Sequence, residues 1–201
     1  LVASMRSEVP VINAGDGGHQ HPTQTLTDLL TIHRLKGHLD NLTVGLCGDL
    51  KFGRTVHSLI RAMMRYKGIK FVLVSPKELQ IPDYIRDDLV REGFPFEEVE
   101  RLEDAISQMD ILYMTRVQRE RFTDLMEYER VKNVYILRNK MLEQTRPNLC
   151  ILHPLPRVNE IAYDVDDNPK AYYCQQAQSG LYAREAILCD VLGITLDDVK
   201  E

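Results

Sequence analysis

The sequence predicts an α/β fold: a three-layer α/β/α domain with a mostly parallel, doubly wound sheet covered on both faces. Three observations carry this. Short apolar runs, the first with a β-branched start and running from Thr43 to Gly48-Asp49, the others at Lys70–Val74, Asp110–Thr115 and Leu149–Leu152, alternate with segments of helical period. The segments between them are long enough for right-handed crossovers, which make neighbouring strands parallel. Polar residues cluster directly after the runs, at Gly48–Thr55 and Thr115–Gln118, where the open end of a parallel sheet places its ligand crevice.

Leu1–Glu8 reads as the last turns of a helix whose start lies outside the sequence, which suggests a piece of a longer chain. A short strand, Val9–Ile12, leads into Asn13–Gly18, whose three glycines can take positive φ. Pro22 suits the first position of a helix running to Lys36, with Leu26, Leu29 and Leu30 as its apolar face and Gly37 as its stop. The free N–H groups at His21–Gln24 make that terminus an anion or carbonyl site, although His21 alone could be only a helix cap or a solvated residue.

Thr43–Ser58 reads as strand, turn and helix, with Val56, Leu59, Ile60, Met63 and Met64 on one helical face. Its glycines, Gly48 and Gly53, make neither a dinucleotide fingerprint nor a P-loop, so a cationic side chain, Arg54, is the anion-binding device. Beyond it are expected strand Lys70–Val74, helix Pro82–Glu92, extended Phe94–Val99, helix Leu102–Met109 and strand Asp110–Thr115, which ends at a second arginine, Arg116. Arg119–Arg130 is dense in charge and reads as either a mobile loop or an ordinary exposed helix. Val134–Leu137 is read as a strand, Lys140–Thr145 as a short helix and Leu149–Leu152 as the last strand. His153–Arg157, with two prolines, makes a rigid turn with free carbonyls. Glu160–Ala177 reads as irregular, and Leu181–Leu192 as a final helix with Ala183, Ile187, Leu188 and Val191 on one side.

Composition narrows the class. The 201 residues are enough for one large core, and 25 basic against 30 acidic residues leave a net charge of −5, so no general basic excess exists to meet a nucleic acid. Cys47, Cys150, Cys174 and Cys189 lack C-x-x-C spacing and the first two sit in apolar, strand-like runs, which implies buried thiols there, no zinc and a reducing, cytoplasmic setting. The Asp164, Asp166 and Asp167 run is read as a turn rather than a metal site, and no cofactor is implied. No apolar run reaches the roughly 20 residues of a membrane span, and the first residues lack a signal pattern.

Four pieces stand together in order: His21-Pro22-Thr23-Gln24, Gly48-Asp49-Leu50-Lys51-Phe52-Gly53-Arg54-Thr55, Met114-Thr115-Arg116-Val117-Gln118 and His153-Pro154-Leu155-Pro156-Arg157. As a set they resemble the C-terminal, aspartate-binding half of the aspartate carbamoyltransferase catalytic chains, from about Val9 to Gly193. Ornithine carbamoyltransferases carry Ser-Met-Gly and His-Cys-Leu-Pro in the last two places and match less well.

The resemblance implies transfer of a carbamoyl group from carbamoyl phosphate to the amine of L-aspartate in pyrimidine synthesis, with His21 and Arg54 as catalytic residues. His21, Gln24 and the backbone carbonyls of Leu155 and Pro156 would hold the carbamoyl group. Arg54 and Arg116 would clamp the aspartate carboxylates, with Gln118 orienting it, Glu120 steering Arg116 and Arg119–Arg130 closing as a lid. No poised general base is legible. The resemblance further assigns 1–36 to the end of a carbamoyl-phosphate domain and its connecting helix, 37–177 to the aspartate-binding domain, and 178–201 to a helix packing back on the first domain. These flanking helices belong with an N-terminal domain outside the sequence, without which little turnover is expected. It also implies a homotrimer with shared active sites, and admits regulatory chains as partners. Competing readings are a carbamoyltransferase for another amino acid, an inactive homologue acting as a scaffold, and a plain nucleotide-binding domain.

Overall fold

Five strands, β1 (Thr43–Cys47), β2 (Lys70–Val74), β3 (Phe96–Val99), β4 (Ile111–Met114) and β5 (Cys150–Leu152), form a single sheet in the order β3-β2-β1-β4-β5. Every pairing in it is parallel. The structure is a computed structural model describing residues 10–17, 20–195 and 197–198.

Strand periodicity sorts the side chains onto two cores. Val44, Leu46, Phe71, Leu73, Ile111, Tyr113 and Leu152 face α2 (Arg54–Met63) and α3 (Asp83–Arg91), while Cys47, Val72, Val74, Leu112, Met114 and Ile151 face the opposite layer. Met109 packs directly over the β1 backbone at Gly45, where a Cβ would fall 2.1 Å from the Met109 sulfur. The α2 face forms as the spacing predicts, with Val56, Leu59, Ile60 and Met63 buried. Burial of such side chains contributes about 1.5–3 kcal/mol each.

Two helices lie outside this alternation. α1 (Pro22–Lys36) ends at Gly37 in the left-handed region, φ 77°, and packs along α5 (Tyr173–Leu192). Its buried face is Thr23, Thr27, Asp28, Thr31 and Ile32, whereas Leu26 is exposed and Leu29 and Leu30 are only partly covered. The expected leucine face is therefore corrected: small polar residues let the two helices approach. Thr27 lies close to Gly180, and the Thr27 and Thr31 hydroxyls satisfy themselves on the carbonyls one turn back.

Other expectations also change. α5 starts at Tyr173, eight residues before the expected Leu181, because its first turns bury Gln176, Ser179 and Gly180, which an apolar period does not reveal. Past Ala183 its expected apolar side is mostly open, with Leu188 exposed. Leu102–Met109 forms two 3-10 turns, Leu102–Asp104 and Ile106–Gln108, broken at Ala105. The expected strand 134–137 reduces to one bridge between Leu137 and Ile161, and Lys140–Thr145 to a 3-10 turn, Asn139–Leu142. Residues 10–12 form no strand; Val9 and the expected helix end at 1–8 lie outside the described residues. Among the described residues no helix is long and apolar enough to cross a membrane.

Candidate active site

The sheet order itself makes the site. The chain runs outward from β1 through β2 to β3, then returns to place β4 on the other side of β1, so the order reverses between β1 and β4. That switch point opens a crevice beyond the strand ends. Arg54 follows β1 as the first residue of α2, and Arg116 follows β4 by two residues.

Gly48 allows the two strand ends to close. Its φ of 121° excludes most side chains, and a Cβ would sit 2.3 Å from the Thr115 carbonyl oxygen. The Asp49 N–H donates to Thr115 Oγ1 at 3.0 Å, and the Thr115 N–H to the Cys47 carbonyl at 2.9 Å.

A cavity of about 380 Å³ occupies this crevice, and all seven sequence-predicted site residues line it: His21, Gln24, Arg54, Arg116, Gln118, Leu155 and Pro156. Arg54 Nη1 donates to the Gly17 carbonyl at 2.8 Å, which fixes one side of its fork on the glycine loop. Arg116 Nη2 meets Glu120 Oε1 at 2.9 Å, the ion pair expected from their spacing. Arg121 and His153, which the sequence reading did not single out, also line the cavity.

His21 stands at the start of α1, tied down by donation of its backbone N–H to Ser58 Oγ at 3.1 Å. Among the described residues its side chain makes no cap bond, and Nδ1 is buried without a partner. Burial, then the Arg54 and Arg184 charges, hold its pKa below the ordinary imidazole value, so at neutral pH the ring is neutral and offers an N–H rather than a proton.

The proline loop is held from beneath. Leu155 has φ 54°, a strained value for a side-chain-bearing residue, and the Leu155–Pro156 peptide is cis. The Leu155 N–H donates to His153 Nδ1 at 2.8 Å, so the ring proton lies on Nε2, which donates to Glu160 Oε1 at 2.7 Å. Glu160 also accepts the Val158 and Asn159 N–H groups. Burial alone would raise its pKa, but the His153 ring and these donors hold it below the usual range.

Asp49 is a further buried carboxylate beside the crevice. Oδ1 accepts the Phe52 N–H at 2.9 Å, while Oδ2 is buried without a partner among the described residues. Desolvation raises its pKa to about 6 against the backbone donors around it.

The segment Arg119–Arg130 is more ordered than its charge suggests. A 3-10 turn, Arg119–Arg121, precedes α4 (Leu125–Val131), whose N-cap Asp124 accepts the Met126 N–H at 2.8 Å. Phe122 stacks edge-on to Phe52 at 5.9 Å and to Tyr128 at 5.6 Å, anchoring the segment to the β1–α2 turn. In the Asp-rich turn, Asp166 pairs with Arg157 and Tyr173.

The model of the aspartate/ornithine carbamoyltransferase Asp/Orn binding domain matches residues 40–191. The chain belongs to the aspartate/ornithine carbamoyltransferase family. The family's carbamoyl-P binding domain matches residues 1–34. An aspartate carbamoyltransferase catalytic subunit from Bacteroides thetaiotaomicron is 65% identical over 202 residues, covering 98% of this chain and 63% of its own length. The catalytic subunit of M. jannaschii aspartate transcarbamoylase superposes with a TM-score of 0.88 at 47% identity, covering 100% of this chain and 64% of that one. The Trypanosoma cruzi aspartate transcarbamoylase in complex with N-(phosphonacetyl)-L-aspartic acid gives 0.81 at 36% identity, covering 89% of this chain and 58% of that one. The chain thus spans less than two thirds of the length of these carbamoyltransferases.

Proposed function

We propose that the whole protein containing this chain transfers the carbamoyl group of carbamoyl phosphate to the amine of L-aspartate, giving N-carbamoyl-L-aspartate and phosphate. One observation carries the reading: Arg54 and Arg116, from turns on either side of the β1/β4 switch, line the same cavity as His21, Gln24, Leu155 and Pro156. Two guanidinium forks suit a small dicarboxylate, since each can make bidentate charge-assisted hydrogen bonds that fix orientation as well as charge. Matches to aspartate carbamoyltransferases support aspartate over other amino-group acceptors.

In this reading Arg54 and Arg116 grip the aspartate carboxylates and Gln118 orients them. The neutral His21 ring donates to the carbamoyl oxygen, while Gln24 and the Leu155 and Pro156 carbonyls accept from the carbamoyl NH2. The amine attacks the carbonyl carbon, the C–N bond forms, and the C–O bond to phosphate breaks; the departing phosphate takes the amine proton. Positioning supplies several kcal/mol of the acceleration and an aimed donor roughly 3 kcal/mol more. The segment 119–130 acts as the lid over aspartate.

The same reading assigns 1–36 to the end of the carbamoyl-phosphate domain and its connecting helix, 37–177 to the aspartate domain and 178–201 to the returning helix. It places the protein in the cytoplasm, in pyrimidine synthesis, as a homotrimer with shared active sites. The test is formation of carbamoyl-aspartate by the intact catalytic chain, with ornithine as the competing acceptor. Turnover with aspartate alone supports the reading, and preference for ornithine overturns it.

A further inference from the structure

A connected polar network lies behind the cavity and ties Gln24 and the His153 loop to three buried groups, Asp28, Gln176 and Tyr113, that the roles above do not use. Asp28 on α1 is fully buried. Its Oδ1 accepts Gln24 Nε2 at 2.8 Å and Gln176 Nε2 at 2.7 Å, and its Oδ2 accepts the Tyr113 hydroxyl at 3.0 Å. Gln176 Oε1, on α5, accepts the His153 N–H at 2.8 Å. Three elements, α1, β4 and α5, therefore meet at one carboxyl, and Gln176 links the loop after β5 to it.

These orientations determine one another. A backbone N–H can only donate, so Gln176 presents its oxygen to His153 and its NH2 to Asp28. Gln24, meeting the same carboxylate oxygen, presents its NH2 as well. Its Oε1 is then the atom left to accept from a group in the cavity that Gln24 lines.

We propose that Asp28 is a positioning residue for the carbamoyl end of the site. It selects the amide orientation of Gln24 and, through Gln176, anchors the His153–Pro156 loop, so that Gln24 Oε1 and the Leu155 and Pro156 carbonyls form one acceptor set for an amide-type NH2. The substrate class rests on the proposed function; the hydrogen-bond logic does not. Packing alone does not explain a carboxyl here. Burial pushes its pKa up to about 7, against the Gln176, Gln24 and Tyr113 donors and the Arg184 charge, and a leucine would avoid that desolvation.

The test uses the intact catalytic chain. Asp28→Ala is expected to raise the carbamoyl phosphate KM about tenfold and lower kcat about 100-fold, with the aspartate KM within about threefold. Asp28→Asn keeps an acceptor oxygen and is expected to recover the carbamoyl phosphate KM to within about threefold of the parent. Gln24→Ala combined with Asp28→Ala is expected to lose less than the product of the two single effects, because part of the Asp28 effect passes through the Gln24 amide. Equal losses for both substrates, multiplicative effects, or an Asp28→Asn as impaired as Asp28→Ala would overturn the proposal. If Asp28→Ala does not fold, Gln176→Met cuts the branch to the loop, and an unchanged carbamoyl phosphate KM there overturns it equally. A parent chain that makes no carbamoyl-aspartate overturns the proposed function itself, and the positioning role falls with it.

Discussion

The two ends of the cavity are built on opposite principles. At one end Arg54 and Arg116 are half-buried cations on turns, each held by one neighbour, the Gly17 carbonyl or Glu120. At the other, Gln24 and the Leu155–Pro156 turn rest on Asp28, Gln176, His153 and Glu160, all buried and hydrogen-bonded to one another or to the turn. Under the proposed function, the difference fits the two substrates. A dicarboxylate offers charge, which long guanidinium side chains can follow, whereas a neutral carbamoyl group offers only directional hydrogen bonds and needs acceptors that do not move.

The sharpest way to break this contrast is at the cationic end. Arg54→Ala in the intact chain is expected to lower kcat/KM for aspartate by at least about 1000-fold, and Arg54→Lys to restore little, because an ammonium lacks the fork. Steady-state kinetics over aspartate concentration checks this. A lysine variant within tenfold of the parent would show that charge alone suffices.

At the rigid end the expected effect is on stability. Glu160→Ala leaves the buried His153 Nε2–H and the Val158 and Asn159 backbone N–H groups without their acceptor. A loss of about 3 kcal/mol or more in urea unfolding is expected, against a smaller loss for Glu160→Gln. Equal, small losses for both would mean the loop does not depend on this anchor.

Titration sharpens the comparison further. The Asp28 carboxyl has a folded pKa of about 7 against an ordinary 3.8, so the folded state favours its protonated form. Its contribution to stability is fully present below about pH 3.8 and lost as the pH rises through about 7. The stability of the parent relative to Asp28→Asn should therefore fall between about pH 4 and pH 7, measured by denaturant unfolding at each pH. A rise over that window would contradict the burial argument.

The smallest effect is expected at Glu120, whose ion pair with Arg116 is largely exposed. Glu120→Gln should change the aspartate KM by only a few-fold, and less at high salt, since exposed pairs contribute about 0–1 kcal/mol.

Much of this was legible from residue pattern, because β1, β2, β4 and α2 advertise themselves by apolar period and the site motifs sit at strand ends. What stayed hidden has a common cause. The α1 and α5 faces that pack together use Thr23, Thr27, Asp28, Gln176, Ser179 and Gly180, so a search for apolar periodicity chose Leu26 on one helix and missed the start of the other. The Asp28 network joins residues 148 positions apart, and nothing in local spacing announces it. Val134–Leu137 has the composition of a strand but finds only a single bridging partner for Leu137.

The central claim, two arginines converging on one diacid, is tested most directly by calorimetric binding of N-(phosphonacetyl)-L-aspartate to the intact chain and to its Arg54→Ala and Arg116→Ala variants. Each substitution is expected to weaken binding by at least about 100-fold. An affinity within twofold of the parent for either variant would show that the two guanidinium groups do not share one ligand.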